Sequence, residues 1–301
     1  MTHVATLIAA QGTRLTDDLI GRARAALPQT TDTQWLERDI AADIEFIPQG
    51  PADQRQLTDH LRAALGAAPL DLAVQPLAHR RKKLLMADMD STMIAQECID
   101  ELADMVGLKA HVSAITERAM RGEIAFEPAL RERVALLKGL PLSVIDDVIA
   151  HRITLMPGAR ALVATMRAHE AHTVLVSGGF SLFTREVAEM IGFDENHANT
   201  LLVEDGKLTG HVDEPVLGRE AKLDTLLEVA RYLNLPLAET IAVGDGSNDL
   251  AMLGRAGLGV AYHAKPAVAA AADVRIDHGD LTALLYLQGY RRDQFVVGQD
   301  Q

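Results

Sequence analysis

Cysteine and basic residues are scarce in this sequence. Cys98 is the one cysteine, which excludes an intramolecular disulfide and a zinc site built from several cysteines. The 29 Lys and Arg residues are outnumbered by 42 Asp and Glu residues, so the formal net charge is −13. Because non-specific binding to nucleic acid or to an anionic membrane needs basic surface, we expect neither as a partner. An anionic substrate would have to be held by locally placed cations.

Long apolar runs are missing as well. No run reaches the roughly 18–20 residues that a membrane span needs. The first seven residues have no basic region before their apolar run, unlike a secretory signal. We therefore expect a cytoplasmic protein. What the chain does have is 48% hydrophobic residues in 301 residues, enough for a sizeable core in one large domain or two ordinary ones.

Residues 1–78 have the pattern of a small α+β domain. Strands are expected at residues 4–10, 33–36, 42–47 and 70–75, and helices at residues 15–27 and 54–65. This βαββαβ order predicts a ferredoxin-like fold. A basic cluster at 79–83 divides this segment from the rest of the chain. We interpret residues 80–83 as a solvated linker into the next strand.

In residues 79–301 predicted strands alternate with predicted helices, which predicts an α/β domain with a Rossmann-like parallel sheet. Apolar runs at 83–88, 173–177, 240–245 and 258–261 alternate with helical segments, which favours right-handed crossovers. Helical patterns at 97–107, 112–120, 130–138 and 142–151 follow the first core strand and predict an inserted helical lid. Active residues in such sheets gather beyond the carboxyl ends of the strands, and Asp88, Ser177 and Asp245 fall at such ends.

Two carboxylates follow the first core strand. Asp88 and Asp90 lie in a loop where one carboxylate can attack a phosphoryl group and form an aspartyl-phosphate while the other transfers a proton. The alternative for this segment is a surface turn with helix-capping side chains.

Three further segments predict a metal site, a phosphate cradle and a cation. The loop from Gly244 to Asp249 offers hard oxygen ligands, which suit Mg²⁺. Ser177 and the two glycines after it offer a hydroxyl and backbone N–H groups to phosphate oxygens. Lys222, at the start of a predicted helix, would offset negative charge at the nucleophile. The alternatives are a glycine-rich turn, a tight strand-to-helix turn and a solvated lysine.

Together these motifs resemble those of the haloacid dehalogenase-like phosphatases, in order, over residues 83–265. Within the inserted segment, residues 97–101, 116–124 and 130–134 resemble the bacterial type of phosphoserine phosphatase and narrow the resemblance to that family. The core motifs that carry the resemblance are Asp88-Met89-Asp90-Ser91-Thr92, Ser177-Gly178-Gly179, Lys222 and Gly244-Asp245-Gly246-Ser247-Asn248-Asp249.

The resemblance implies a fold, a reaction and a cofactor. The fold is a Rossmann-like core with a helical cap at about 96–153, inserted after the first core strand. The reaction is hydrolysis of O-phospho-L-serine to L-serine and phosphate through an aspartyl-phosphate, the last step of serine biosynthesis. Asp88 would be the nucleophile and Asp90 the general acid and base. Mg²⁺ would be bound by the side chains of Asp88 and Asp245 and the backbone carbonyl of Asp90, with Asp249 supporting these ligands from behind.

The resemblance also implies substrate contacts from core and cap. Glu97 would pair with the substrate ammonium, and Arg133 with its carboxylate, for which a planar guanidinium is well suited. Met120 and Phe126 would help to close the site. The sequence departs from the family at Pro128-Ala129, where a polar pair ending in serine is expected. The residues implied to hold phosphate oxygens are Ser177, Gly178, Lys222 and Asn248.

Several alternatives stay open. Residues 1–78 resemble an ACT-type regulatory domain in their element order, and could sense an amino-acid effector, form a homodimer or give structural support. The chain could instead be a related Mg²⁺-dependent phosphatase or phosphotransferase acting on another small phosphomonoester. It could also be an amino-acid-sensing protein with a vestigial core, although the intact set of Asp88, Asp90, Lys222 and Asp245 argues against decay. Glu97 and Arg133 favour an amino-acid zwitterion over a sugar phosphate.

Overall fold

The computed structural model describes residues 2–50 and 53–296, except for the side chain of Met120. Within those residues, no helix is long and apolar enough to cross a membrane. The described chain forms a four-stranded sheet, a six-stranded sheet and a two-stranded sheet.

The N-terminal sheet is antiparallel and has the predicted βαββαβ order. Its elements are β1 (His3–Ala9), α1 (Asp17–Ala26), β2 (Thr30–Glu37), β3 (Ala41–Phe46), α2 (Gln54–Leu65) and β4 (Leu70–Pro76). The strands lie in the order β2-β3-β1-β4. Thr16 caps α1 by accepting from one backbone N–H of its first turn, and Asp53 caps α2 by accepting from two. Such caps satisfy donors that a helix start leaves unpaired.

Both faces of the N-terminal sheet are buried at its inner strand β1, whereas the edge strand β2 is mostly exposed or half-buried. All seven residues of β1 are buried, whereas an antiparallel strand with one solvated face would alternate. Leu7 packs with the apolar sides of α1 and α2. Ile8, which points to the opposite face, belongs to the large apolar cluster of the C-terminal part of the chain. The N-terminal sheet is therefore docked face-on against the rest of the protein.

The interpretation of residues 80–83 as a solvated linker is wrong for Arg80 and Lys82, whereas Arg81 and Lys83 are exposed. Arg80 donates to both carboxylate oxygens of Asp43, at 2.6 and 2.7 Å, and to the backbone carbonyl of Leu287 at 2.9 Å. Lys82 is only 6% exposed and donates to a backbone carbonyl at 2.7 Å. A bidentate guanidinium–carboxylate pair is directional as well as strong. Arg80 thus holds the N-terminal sheet against the core, and Lys82 is bonded to the core itself.

The larger part of the chain is built on a parallel sheet, which confirms the predicted α/β class. Its strands are β5 (Leu84–Ala87), β6 (His172–Phe180), β7 (Glu195–Asn199), β10 (Thr240–Gly244), β11 (Gly259–Tyr262) and β12 (Val274–Ile276). They lie in the order β12-β11-β10-β5-β6-β7. The sequence predicted four of them. The prediction missed β7, which is mostly polar, and β12, which has only 3 residues, because neither has a clear apolar run.

Helices cover both faces of the parallel sheet. Along β6, Leu175 faces one apolar cluster and Val174 faces the other, as expected for a strand buried on both sides. The helices of this part are α7 (Ala159–Ala168), α8 (Ser181–Ile191), α9 (Arg219–Tyr232), α10 (Leu250–Arg255), α11 (Pro266–Ala271) and α12 (Ala283–Leu287). A separate antiparallel hairpin is formed by β8 (Leu201–Glu204) and β9 (Lys207–Val212).

After β5 the chain forms the four helices that the sequence predicts for the cap, before α7 leads back to the sheet. They are α3 (Cys98–Asp104), α4 (Lys109–Met120), α5 (Phe126–Ala135) and α6 (Ser143–Arg152). Helix α5 begins four residues earlier than predicted, because Pro128 lies in its first turn, where the missing N–H is tolerated. The two linkers to this helical cap are paired: Ile94 bridges Leu155, and Met156 N donates to Met93 O at 2.9 Å.

Candidate active site

Polar side chains meet at the carboxyl ends of three neighbouring strands, β10, β5 and β6. Asp88 follows β5, Asp245 follows β10, and Ser177 lies in the second half of β6. All three residues are buried. Because β5 pairs in parallel with both neighbours, the chemical groups of three distant segments converge on one edge of the sheet, as predicted.

Lys222 connects two of the predicted carboxylates. Its Nζ donates to Asp88 Oδ1 at 2.5 Å and to Asp249 Oδ1 at 2.7 Å. The lysine lies in the first turns of α9 and is fully buried. Burial alone would lower the pKa of Lys222, but the charges of Asp249 and Asp88 outweigh it and raise the pKa above its ordinary value. Lys222 is therefore a fixed positive charge beside Asp88.

Asp249 is held by contacts on both carboxylate oxygens. Oδ1 accepts from Lys222, and Oδ2 accepts from the backbone N–H groups of Asp245 and Gly246, at 3.2 and 3.0 Å. A Cβ added at Gly244 would lie 2.4 Å from Cγ of Asp249, so this close packing needs glycine. Asp249 thus fixes the conformation of this loop, which suits its predicted role of supporting the metal ligands.

The carboxylates of Asp88, Asp245 and Asp249 form a cluster that could hold a metal ion. One oxygen from each residue lies within 4.8 Å of the others. Burial and the negative charge of Asp249 raise the pKa of Asp88 well above its ordinary value, and the same two causes raise the pKa of Asp245 to about 7. These three carboxylates offer hard oxygen donors, and they repel one another. Such a cluster is suited to bind a divalent cation of the Mg²⁺ type.

Asp90 is held between core and cap. Ser177 Oγ donates to Asp90 Oδ2 at 2.9 Å, and the backbone N–H of Cys98 donates to Asp90 Oδ1 at 2.8 Å. Gly179 N in turn donates to Ser177 Oγ at 2.8 Å. This chain of donors fixes the orientation of the carboxyl group on which the predicted proton transfer depends.

A small cavity lies between the core and the cap. Lys222, Asp245 and Asp249 are not among its lining residues. Met120 ends α4, and its side chain, predicted to close the site, lies outside the described residues. The predicted residues that line the cavity are Asp88, Asp90, Glu97, Phe126, Arg133, Ser177, Gly178 and Asn248.

The cap contributes one acidic and one basic side chain to this cavity. Glu97 accepts from Ser91 Oγ at 2.6 Å, and burial together with the charge of Asp90 raises the pKa of Glu97 well above its ordinary value. Arg133 is 4% exposed, and burial lowers its pKa. Two opposite charges in one small cavity are suited to a ligand that carries both an ammonium and a carboxylate group.

The sequence did not single out the residues that orient Arg133. Its Nη1 donates to Thr116 Oγ1 at 2.9 Å, and Thr116 Oγ1 donates to Asp100 Oδ1 at 2.7 Å. Its Nε donates to the backbone carbonyl of Ala129 at 3.0 Å. Ala129 itself is buried, so the position where the sequence departs from the family it resembles is an apolar packing site that uses a backbone oxygen.

Asn199 was also missed. Its Nδ2 donates to the carbonyls of Gly178 and Leu217, at 2.8 and 3.1 Å, and its Oδ1 accepts from Leu217 N at 2.6 Å. One buried amide thus joins the Ser177-Gly178 segment to the chain that enters α9 and Lys222. No local signal marks this asparagine, because its partners lie 18 and 21 residues away.

Two further contacts bring the cap against the core. A Cβ added at Gly178 would lie 2.6 Å from Phe126 Cζ, so the cap ring packs directly on the glycine. Ser247 Oγ donates to the backbone carbonyl of Ala119 in α4 at 3.0 Å. Next to it, the buried Oδ1 of Asn248 has no hydrogen-bond partner among the described residues, although the residue lines the cavity.

Comparisons with known proteins agree with this geometry. A family model described as haloacid dehalogenase-like hydrolase matches residues 85–254. A solved structure of a HAD family hydrolase, t0658 from Salmonella enterica subsp. enterica serovar Typhi, superimposes with a TM-score of 0.83 and 29% identity. The superposition covers 95% of this chain and 98% of that one.

Curated relatives carry a more specific name. The phosphoserine phosphatase of Polaromonas sp. (strain JS666 / ATCC BAA-500) is 48% identical over 210 residues, which cover 68% of this chain and 89% of that protein. Phosphoserine phosphatase SerB2 of Mycobacterium tuberculosis is 44% identical over 227 residues, 75% of this chain. That match spans only 55% of the length of SerB2.

Proposed function

The chain belongs to the haloacid dehalogenase-like hydrolase family, and we propose that it is a phosphoserine phosphatase. It would hydrolyse O-phospho-L-serine to L-serine and phosphate, the last step of serine biosynthesis. The observation that carries this proposal is the presence of Glu97 and Arg133 in the same small cavity as Asp88. The names of the curated relatives support the same substrate.

In the first step, Asp88 attacks the phosphorus atom. A bond forms between a carboxylate oxygen of Asp88 and phosphorus, and the bond from phosphorus to the serine oxygen breaks. Asp90 donates a proton to the departing serine oxygen. Lys222 remains charged next to Asp88, so it offsets the repulsion between the carboxylate and the phosphoryl group.

In the second step, water releases the phosphate. Asp90 takes a proton from the water, whose oxygen bonds to phosphorus while the bond to Asp88 breaks. Both residues then return to their starting states. Ser177, Gly178 and Asn248 hold the phosphoryl oxygens through a hydroxyl, a backbone N–H and a side-chain amide.

The residues proposed to hold Mg²⁺ are Asp88 and Asp245 through their side chains and Asp90 through its backbone carbonyl. The bound ion would neutralise negative charge between nucleophile and phosphoryl group. Asp249 has both oxygens engaged with Lys222 and the loop backbone, so we assign it to the support of these ligands.

The serine part of the substrate is recognised by the cap. Glu97 binds the ammonium group. The positive charge of that group would offset the burial of Glu97 and the negative charge of the nearby Asp90. Arg133, oriented by Thr116, binds the carboxylate. Phe126 packs over Gly178 and, with Met120, would close the site against water.

We also propose a division of the chain into an ACT-like regulatory or dimerisation domain at 1–78 and a phosphatase domain at 79–301, with its cap at about 96–153. The docked antiparallel sheet and the four inserted helices α3 to α6 support these boundaries. A cytoplasmic location, a homodimer and an amino-acid effector remain predictions.

The test is phosphate release from a substrate panel in the presence of Mg²⁺. We expect O-phospho-L-serine to be preferred over sugar phosphates and phosphohomoserine, and Asp88→Asn to abolish release. Arg133→Ala should lose activity chiefly on substrates that carry a carboxylate. Comparable rates on sugar phosphates would instead favour the alternative, a related phosphatase or phosphotransferase for another small phosphomonoester. An equal loss on a simple aryl phosphate would contradict the role of Arg133.

A further inference from the structure

Ser91 has a backbone conformation that serine seldom adopts. Its φ angle is +56°, in the left-handed region, where glycine is favoured because a Cβ crowds the following carbonyl oxygen. A residue with a side chain persists in such a conformation where the surrounding structure holds it, and such residues cluster at functional sites. The contacts of the Ser91 side chain therefore need to be explained.

The Ser91 hydroxyl donates to Oε1 of Glu97 at 2.6 Å. In the described part of the chain, this hydroxyl is the one hydrogen-bond donor to the Glu97 side chain, which does not cap α3. A glutamate has several rotatable bonds, and fixing them at the moment a ligand binds costs conformational entropy. Ser91 thus sets the position of the Glu97 carboxylate before a ligand arrives.

Two further bonds join the segments on either side. Ser91 N donates to the backbone carbonyl of Gln96 at 3.3 Å, and Cys98 N donates to Asp90 Oδ1 at 2.8 Å. Glu97 lies between the two residues that make these bonds. It is therefore fastened to the loop that carries Asp88 and Asp90.

Arg133 is held by different parts of the structure. Its guanidinium donates to Thr116 in α4 and to the backbone carbonyl of Ala129 in α5, so its contacts belong to the cap. The acidic group of the cavity is thus positioned by the loop of the nucleophile, and the basic group by the cap helices. The ammonium end of a zwitterion would be placed by that loop itself.

We propose that Ser91 is a positioning residue for ammonium recognition. Its hydroxyl holds the Glu97 carboxylate so that the substrate ammonium group lies at a set place relative to Asp88 and Asp90. Ser91 is not among the residues that line the cavity, so it acts through Glu97 and does not itself bind phosphate. The inference rests on the proposed function, because it requires a substrate that carries an ammonium group.

The first test compares two substrates of the Ser91→Ala variant in the presence of Mg²⁺. Phosphoglycolate carries a carboxylate but no ammonium group. We expect kcat/KM for O-phospho-L-serine to fall about tenfold or more, as for a lost hydrogen bond to a charged group, and kcat/KM for phosphoglycolate to change little. Ser143→Ala, at an exposed serine of the cap, is the matched control and should change neither. Equal losses on both substrates would contradict the proposal.

A second variant separates the hydroxyl from the backbone conformation. Ser91→Gly also lacks the hydroxyl, but glycine accepts a φ of +56° without strain. Its melting temperature should not lie below that of Ser91→Ala, and the two variants should lose the preference for phosphoserine equally. If the preference survived in Ser91→Gly, or followed the melting temperature, the role of Ser91 would be in stability alone.

A double-mutant cycle tests whether Ser91 acts through Glu97. Ser91→Ala added to Glu97→Ala should cause no further loss on phosphoserine, because the partner of the hydroxyl is already absent. A further tenfold loss would show that Ser91 acts by another route and would refute the proposal.

A crystal structure of Ser91→Gly separates this inference from the proposed function. We expect the Glu97 carboxylate to leave the position that it has beside Ser91. An unmoved carboxylate would overturn the positioning role, whatever the substrate is. If the protein without substitutions did not prefer phosphoserine to phosphoglycolate, the proposed function would fail, together with the role in ammonium recognition. The crystal structure would still decide whether Ser91 positions Glu97.

Discussion

The Nζ atom of Lys222 lies 2.5 Å from Oδ1 of Asp88, and the two side chains are 0% and 3% exposed. A buried pair of this kind depends on both partners, because removal of one leaves an uncompensated charge in a poorly solvated place. The lysine is shared with Asp249, so its loss would leave two such carboxylates.

We therefore expect Lys222→Met to abolish phosphate release and to lower the free energy of unfolding of the metal-free protein by about 3–5 kcal/mol. Urea denaturation at neutral pH measures the second effect. Lys207→Met, in the exposed hairpin, is the matched control and should change neither quantity. A Lys222→Met protein with the parent rate would refute the role given to this cation.

Stability of the metal-free protein should fall as pH rises. Asp245 has its pKa raised from 3.8 to about 7 by burial and by Asp249, so between these values the folded state holds more protons than the unfolded state. Stability then decreases with pH across that window.

Magnesium ions should oppose this loss, because they compete with protons for the same carboxylates. The melting temperature should rise on adding Mg²⁺ in place of a chelator, and the rise should be larger at about pH 7.5 than at about pH 5. Asp245→Asn should remove most of the effect. An equal stabilisation at both pH values would argue against binding at this cluster.

Asn199 should act as a positioning residue for the phosphate segment. Asn199→Ala removes the amide that joins Gly178 to Leu217, and we expect kcat/KM to fall about tenfold or more. Inhibition by inorganic phosphate should weaken in parallel. Asn196→Ala removes a hydrogen-bonded asparagine from the same strand, whose partner is Thr184, and should leave both measurements nearly unchanged. Equal effects from the two variants would indicate a general loss of stability.

Thr116 should set specificity through Arg133. Thr116→Val removes the hydroxyl that accepts from the guanidinium, so the KM for O-phospho-L-serine should rise about five- to tenfold. Hydrolysis of an aryl phosphate, which has no carboxylate, should change little. Ser113→Ala removes the other hydroxyl bonded to Asp100 without touching Arg133. If it raised the KM equally, the loss would belong to the packing of the cap.

The sequence located most of the candidate site because the signals there are local. Asp88 and Asp245 each follow an apolar strand, and the rule that parallel strands end at one edge then brings them together. The orienting residues Thr116 and Asn199 were not found, since a single polar residue within a helix or at a strand end has no pattern of its own. Their roles depend on partners far along the chain.

The alternation of strands and helices, the position of the cap and the class of chemistry were determined by the sequence itself, because periodicity and motif loops are properties of neighbouring residues. Only the tertiary structure decided how the N-terminal sheet meets the core. Arg80 reads as part of a solvated basic run, yet it binds Asp43, 37 residues before it. A cavity of about 470 Å³ between that sheet and the core likewise exists only where two distant surfaces meet, so no local sequence pattern predicts it.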